Sequence, residues 1–184
     1  ETNQLLKILG YNPKGYQENK RRRYILNDVE IDIDSWPLIP TYMEIEGKTI
    51  EEVKEIVMAD KERKVVVVSA AGKRFSKDHK ITDLLYLCHA HTQYGVECDQ
   101  VFEMITSRYI EIRDELNLNV DLESEFADLK RRLDARAVSQ DELASRGEYF
   151  SAKLMAAYLG FRFVDAADWI FFNMDGTVNQ EKSY

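Results

Sequence analysis

The sequence predicts an α/β protein in which helices flank a partial parallel sheet and antiparallel strands precede that sheet. Three observations support this prediction. The β-branched run from Val65 to Val68 has the composition of a strand that is buried on both faces. The stretch 78–159 carries a succession of amphipathic helical patterns. Residues 28–34 alternate strictly between apolar and acidic side chains, which is the pattern of a half-buried strand.

Composition limits the classes of function that the chain can have. Its 184 residues suffice for one domain or two small ones, and 45% of them are hydrophobic. The formal net charge of −8 argues against a general binder of nucleic acids or membrane surfaces. The two cysteines, Cys88 and Cys98, indicate a reducing compartment. Because the sequence has no bilayer-spanning apolar run and no signal-peptide pattern, we expect a cytoplasmic protein.

The first part of the chain is predicted to end in a right-handed βαβ unit. Its predicted elements are, in order, a helix at 4–10, strands at 28–34 and 41–46, a helix at 49–59 and a strand at 64–70. Thr49 and Glu52 form a capping-box pattern at the start of the second helix. The strands before and after that helix would then lie parallel in one sheet.

The second part of the chain is predicted to be mainly helical. Apolar side chains recur at helical spacing in four segments, which are 78–94, 98–116, 122–136 and 139–159. Gly160 stands where the last of these helices should end. Residues 161–165 are predicted to form a short strand, whereas 168–172 are ambiguous between helix and strand.

Three polar residues of the second part are candidates for a substrate site. Ser69 ends the predicted strand and Gly72 follows in the loop, and ligands of open α/β sheets bind beyond the carboxyl ends of strands. Thr82, the second candidate, lies near the start of the helix predicted at 78–94. Alternatively, Ser69 only terminates the strand and Thr82 is a hydroxyl on a helix surface. Glu148 follows Gly147 within a helical pattern, where glycine allows a close backbone approach and the carboxylate could meet an ammonium group. The alternative is a solvated glutamate.

Charged residues suggest a phosphate or metal site. Arg21 and Arg23 share one face of a basic strand and could bind phosphate oxygens, as could Lys73 in the loop after the predicted strand 64–70. Carboxylates that could hold magnesium or manganese alternate along two acidic strands, and they are Asp32, Asp34, Glu44 and Glu46. The alternative for each set is a solvated, charged surface.

Five segments of the second part occur in an order that is typical of one enzyme family. They are Lys64–Arg74, Lys80–Leu85, Ser107–Tyr109, Ser145–Tyr149 and Tyr158–Ala166. With these segments, roughly residues 51–184 resemble an aspartate kinase, a member of the amino-acid kinase family. The resemblance implies ATP and Mg²⁺ as cofactors of the parent enzymes and L-aspartate as the substrate. It further implies that the hydroxyls of Ser69 and Thr82 contact aspartate and that Glu148 binds its amino group.

The aspartate-kinase resemblance also implies two segments that this sequence does not contain. The family opens with a Lys-Phe-Gly-Gly-Ser strand and loop that handle phosphate, and it continues into a nucleotide-binding half. Because neither occurs in the sequence, we expect a truncated lobe with little or no kinase turnover.

The first 48 residues resemble a different family. The segments that carry the resemblance are Lys20–Tyr24, Asp28–Asp34, Ser35–Pro40 and Glu44–Glu46. They are similar to the later part of a CYTH domain, the triphosphate-tunnel fold of class IV adenylyl cyclases and thiamine triphosphatases. This resemblance implies metal-dependent binding or hydrolysis of a triphosphate, although the family's first strand, Glu-x-Glu-x-Lys, is absent.

Together the two resemblances predict a hybrid chain. Residues 1–48 would form partial CYTH-like strands and residues 49–184 a partial aspartate-kinase-like α/β domain, with the seam within the helix at 49–60. A third hypothesis is a hybrid domain without catalysis, whose role is structural. Sheet edges left unpaired by the missing strands would favour self-association into a homo-oligomer.

Overall fold

The chain divides into two compact units, residues 1–64 and residues 65–184, and the first extends beyond the boundary predicted after residue 48. The computed structural model describes residues 2–12, 18–37 and 39–183. The described helices and strands are, in order, α1 Thr2–Ile8, β1 Lys20–Leu26, β2 Val29–Trp36, β3 Ile39–Glu46, α2 Ile50–Met58, α3 Ile81–Gln93, α4 Asp99–Glu115, α5 Glu123–Asp134, α6 Gln140–Leu159 and α7 Gln180–Ser183. None of these helices is long and apolar enough to cross a membrane.

The first unit is built on a three-stranded antiparallel sheet with β2 in the centre. A two-residue loop of Asn27 and Asp28 joins β1 to β2, and both residues take the positive φ, 50° and 66°, that a type I′ hairpin turn requires. This turn sets the register, in which Arg21 lies opposite Asp34. The segment 28–34, for which the sequence predicts alternation, thus lies in the central strand β2, where apolar and acidic side chains follow one another.

Helix α2 begins with the predicted capping box. The Thr49 hydroxyl accepts a hydrogen bond from the amide of Glu52, and the Glu52 carboxylate accepts one from the amide of Thr49. Val57 of α2 is buried, as are Val29 and Ile31 of β2. These side chains supply the small apolar core of the first unit.

The predicted parallel sheet is wrong for the part of the chain that the structure describes. Residues 64–70 form no strand there, and Val65 and Val67 are 84% and 92% exposed. Strand β3 pairs antiparallel with β2, so the predicted βαβ unit does not form either. A β-branched run becomes a buried strand only where neighbouring strands satisfy its backbone hydrogen bonds, and the described residues place no strand beside it.

The strand predicted at 161–165 is also absent. A 3₁₀ turn at Ala166–Asp168 follows it, and an isolated bridge links Phe172 to Val178. The turn is local, because the Asp165 carboxylate accepts a hydrogen bond from the Ala167 amide and caps it. Residues 168–172, which the sequence left ambiguous between helix and strand, form neither along their length, because Asp168 ends the 3₁₀ turn and Phe172 forms the isolated bridge.

The second unit is a cluster of helices around one apolar core. The four helices predicted from periodicity form as α3, α4, α5 and α6, and α3 packs against both α4 and α6. Helix α6 begins after Ser139, whose hydroxyl accepts from the Glu142 amide, and it ends at Gly160 with a left-handed φ of 73°. The largest fully buried side chains of this unit are Tyr109, Ile81, Leu85, Leu122, Leu133 and Leu143.

Candidate functional site

Gly147 lies in a tight packing contact near the predicted substrate residues. It is buried within α6, and a Cβ added to it would lie 2.8 Å from Cβ of Ala70, 3.3 Å from Cδ1 of Leu85 and 3.6 Å from Cγ2 of Ile81. Real Cβ atoms essentially never lie closer than 3.0 Å to such a neighbour. Only glycine therefore lets α6 approach α3 and Ala70 this closely.

This contact draws together the surroundings of the three predicted substrate residues. Ser69, Thr82 and Glu148 are each the direct chain neighbour of a residue in the contact. Ser69 and Glu148 are exposed and Thr82 is half-buried, so all three side chains remain accessible from solvent. Long-range packing thus places in one neighbourhood three residues that lie far apart in the sequence.

Helix α4 holds both sides of this neighbourhood through two consecutive residues. The Tyr109 hydroxyl donates to the carbonyl oxygen of Gly147 over 2.8 Å. Burial raises the pKa of Tyr109 to about 12, so the hydroxyl stays protonated at neutral pH. The buried Arg108 donates from Nη1 to the carbonyl oxygen of Gly72 over 2.6 Å. Helix α4 is therefore bonded to α6 and to the loop that follows Ser69.

Asp78 is a buried carboxylate that organises the loop 71–80. Its Oδ2 lies 2.6 Å from Nη2 of Arg108 and accepts hydrogen bonds from the backbone N and the Nε of Arg74, at 2.9 and 3.0 Å. Its Oδ1 accepts from the His79 amide at 3.0 Å. The hydrogen bonds from the Arg74 side chain and amide hold the pKa of Asp78 well below its usual range, and the His79 amide and the positive charge of Arg108 add to this effect. Asp78 is therefore charged at neutral pH.

The sequence-based predictions give Arg108 and Asp78 no role in a site, although Arg108 lies in the segment Ser107–Tyr109. The sequence does offer one signal for Arg108, which directly precedes Tyr109 of the inward-facing apolar stripe of its helix. A guanidinium beside that stripe is a candidate for burial, and a buried guanidinium requires an acidic partner. Which carboxylate serves as that partner could not be deduced from spacing. Lys73, predicted to bind phosphate, lies exposed in the same loop.

The charged residues of the first unit pair with one another across the sheet. Arg21 reaches the two carboxylate oxygens of Asp34 from Nε and Nη2 at 2.8 and 2.5 Å, and its Nη1 lies 2.9 Å from Asp32. Arg23 binds Asp32 through two hydrogen bonds of 2.9 and 2.8 Å, and Glu44 accepts from Arg21 at 2.8 Å. The arginine hydrogen bonds lower the pKa of both aspartates.

These pairs bear on the predicted phosphate and metal sites. Arg21 and Arg23 face carboxylates, so a phosphate group would have to displace bonds that already exist. The same holds for a metal ion at the predicted set of Asp32, Asp34, Glu44 and Glu46, of which the first three accept from an arginine. Both sites stay predictions.

A different group of donor atoms comes close enough to hold a metal ion within the described residues. Sγ of Cys98 and carboxylate oxygens of Asp99 and Asp134 lie within 4.8 Å of one another. The Lys130 ammonium already bridges the two carboxylates, at 2.7 Å from Asp99 and 2.5 Å from Asp134. The single positive charge of Lys130 therefore offsets part of the negative charge of this cluster.

The chain is similar in sequence and in fold to aspartate kinases. It is 34% identical to Aspartokinase 3 of Bacillus subtilis (strain 168) over an alignment of 125 residues that covers 65% of the chain. Its structure matches the crystal structure of Clostridium acetobutylicum aspartate kinase over 73% of the chain, with a TM-score of 0.68 and 45% sequence identity. This chain contains an aspartate-kinase-like segment.

The similarity covers only part of the length of each relative. The chain spans 28% of the length of the Bacillus protein and 31% of the Clostridium chain. No family model matches it. The predicted resemblance to aspartate kinases is thus confirmed for a segment of the chain, whereas the CYTH-like resemblance gains no support from either similarity.

Proposed function

We propose that residues 65–184 form the aspartate-binding part of an aspartate-kinase-like enzyme, with Ser69, Thr82 and Glu148 as the residues that contact L-aspartate. The observation that supports this proposal most is the contact of Gly147 with Ala70 and α3, because it draws the chain neighbours of all three residues together. An exposed carboxylate such as Glu148 is suited to pair with the substrate ammonium group. The two hydroxyls are suited to donate hydrogen bonds to its carboxylates.

The phosphoryl donor in this proposal is ATP with Mg²⁺, which would supply the γ-phosphoryl group that the aspartate side chain accepts. The described residues of the second unit fit only part of such a site. Lys73 is exposed and free to face a phosphate group, but Arg74 and Arg108 are engaged with Asp78. We therefore propose that this segment contributes substrate binding, and we expect little turnover of ATP and L-aspartate by the chain alone in a coupled assay.

Isothermal titration of L-aspartate into the full chain tests the proposed site. Glu148→Ala removes the proposed partner of the ammonium group, and Glu103→Ala, which removes an exposed glutamate of α4, is the matched control. We expect the wild type and the control to bind alike. Binding by Glu148→Ala should be weaker by about tenfold or more, because a charge-assisted hydrogen bond contributes about 1.5–3 kcal/mol. No heat from the wild type, or equal affinity of Glu148→Ala and wild type, would overturn the proposal.

We also propose that the chain self-associates through the segment 65–68. Val65 and Val67 present apolar side chains to solvent, and their segment belongs to no strand of the described sheet. Such a segment can pair with a second copy of itself. Light scattering should show a concentration-dependent mass that Val67→Lys reduces, because lysine on an edge opposes pairing. A wild type that stays monomeric at high concentration would refute self-association.

A further inference from the structure

We propose that the buried ion pair of Arg108 and Asp78 is a positioning device for L-aspartate binding. It would hold the loop 71–80 and thereby set Ser69, just before the loop, and Thr82, just after it. The inference rests on the aspartate site proposed above. Because both members of the pair are buried, they act through the loop and not on the ligand.

The pair is closed off from solvent. Its side chains are 3% and 4% exposed, and the Nη2 of Arg108 lies 2.6 Å from Oδ2 of Asp78. A buried ion pair often contributes little net stability compared with apolar side chains of the same size, because both charges must be desolvated. What this pair does supply is a single geometry, since each charged group can stay buried only while it faces its partner.

Each member of the pair holds a different part of the loop backbone. Arg108 donates to the carbonyl oxygen of Gly72 over 2.6 Å. Asp78 accepts from the amides of Arg74 and His79, over 2.9 and 3.0 Å. The loop is therefore held at three backbone positions, the last of which lies two residues before α3 begins. A loop held in this way cannot shift at one end without straining the other.

The same helix fixes the third proposed contact. Tyr109, the next residue of α4, donates to the carbonyl oxygen of Gly147, which directly precedes Glu148. Consecutive side chains of α4 therefore set the loop between Ser69 and Thr82 and the turn of α6 that carries Glu148. The three proposed ligand contacts share one frame, and Arg108 is its link to the loop.

The test combines L-aspartate titration with hydrogen exchange of backbone amides, both on the full chain. Asp78→Asn keeps the size of the side chain but removes its charge. We expect the Arg74 and His79 amides to exchange about tenfold faster or more, while the amides of α5 stay protected. The affinity for L-aspartate should fall by about tenfold or more. Glu111→Gln removes the exposed carboxylate partner of Arg74 and, as the matched control, should leave the affinity within about twofold.

The outcomes separate this inference from the proposed function. Faster loop exchange in Asp78→Asn with an unchanged affinity would overturn the positioning role and leave the aspartate site standing. A wild type that does not bind L-aspartate would remove both. If Asp78→Asn does not fold, Arg108→Lys takes its place, because lysine keeps the charge and loses the forked geometry. Weaker binding by Arg108→Lys with an intact unfolding transition would support the role, and wild-type affinity would overturn it.

Discussion

Replacing Gly147 by alanine measures how tightly α6 packs near the proposed site. The new Cβ would lie 2.8 Å from Cβ of Ala70 and 3.3 Å from Cδ1 of Leu85, whereas ordinary contacts lie at 3.4–4 Å. The shorter contact is with an atom fixed directly to the backbone, so it cannot be relieved by a rotamer change. The backbone at Ala70 or the axis of α6 has to move.

Two effects of opposite sign decide the result. Alanine is more favourable than glycine in a helix interior by about 0.8–1 kcal/mol. Overpacking a well-packed core costs about 1–3 kcal/mol. Because the contact of 2.8 Å involves no flexible side-chain end, we place the overpacking cost in the middle of that range. The Gly147→Ala chain should then be less stable by about 1 kcal/mol.

Urea unfolding followed by circular dichroism measures this change. Gly72→Ala is the matched control, because a Cβ at Gly72 meets nothing within 4 Å, and its stability should stay within about 0.5 kcal/mol of wild type. Gly147→Ala should also weaken L-aspartate binding, since a shift of Ala70 moves Ser69. If Gly147→Ala gained the full stability that alanine gives a helix, residue 70 would be free to move aside, and the packing argument would be refuted.

Three further outcomes are expected. Arg21→Met removes the guanidinium that pairs with two buried carboxylates of β2, so it should lower the urea midpoint more than the control Arg22→Met. Arg22 is exposed, and its replacement should cost at most about 0.5 kcal/mol of stability; equal losses in the two variants would contradict the pairing. Because the pKa of Asp78 is lowered in the folded chain, its contribution to stability is full above the pKa of an unfolded aspartate and is lost as the pH falls through the folded pKa. Asp78→Asn should therefore flatten the acid limb of the pH–stability curve, and an unaltered limb would count against this linkage. Cys88 and Cys98 are buried, and burial raises the pKa of Cys88, so an aromatic disulfide reagent should modify both thiols slowly in the native chain and rapidly in urea. Fast modification of the thiols in the native chain would argue against their burial.

The sequence alone predicted helices α2 to α6 and the caps at three of their ends, whereas it did not predict α7. The capping box at Thr49, the N-cap at Ser139 and the left-handed C-cap at Gly160 all occur where the pattern predicts them. Each of these features depends on residues no more than four apart, so the information lies within the helix itself. Residue motifs also indicated the aspartate-kinase resemblance that sequence and structure similarity support.

Tertiary structure decided which contacts are made by residues whose partners lie elsewhere in the chain. The run from Val65 to Val68 has the composition of a buried strand, yet burial requires neighbouring strands that its own sequence does not specify. Arg21 and Asp34 could each have bound a ligand, and only the register of β1 on β2 shows that they bind each other. In the same way, Arg108 meets the loop, and Gly147 meets Ala70, because α4 and α6 pack on α3. Local patterns specify which residues form a helix, whereas contacts between distant residues arise only when those elements pack, which is why the candidate site emerged from the fold.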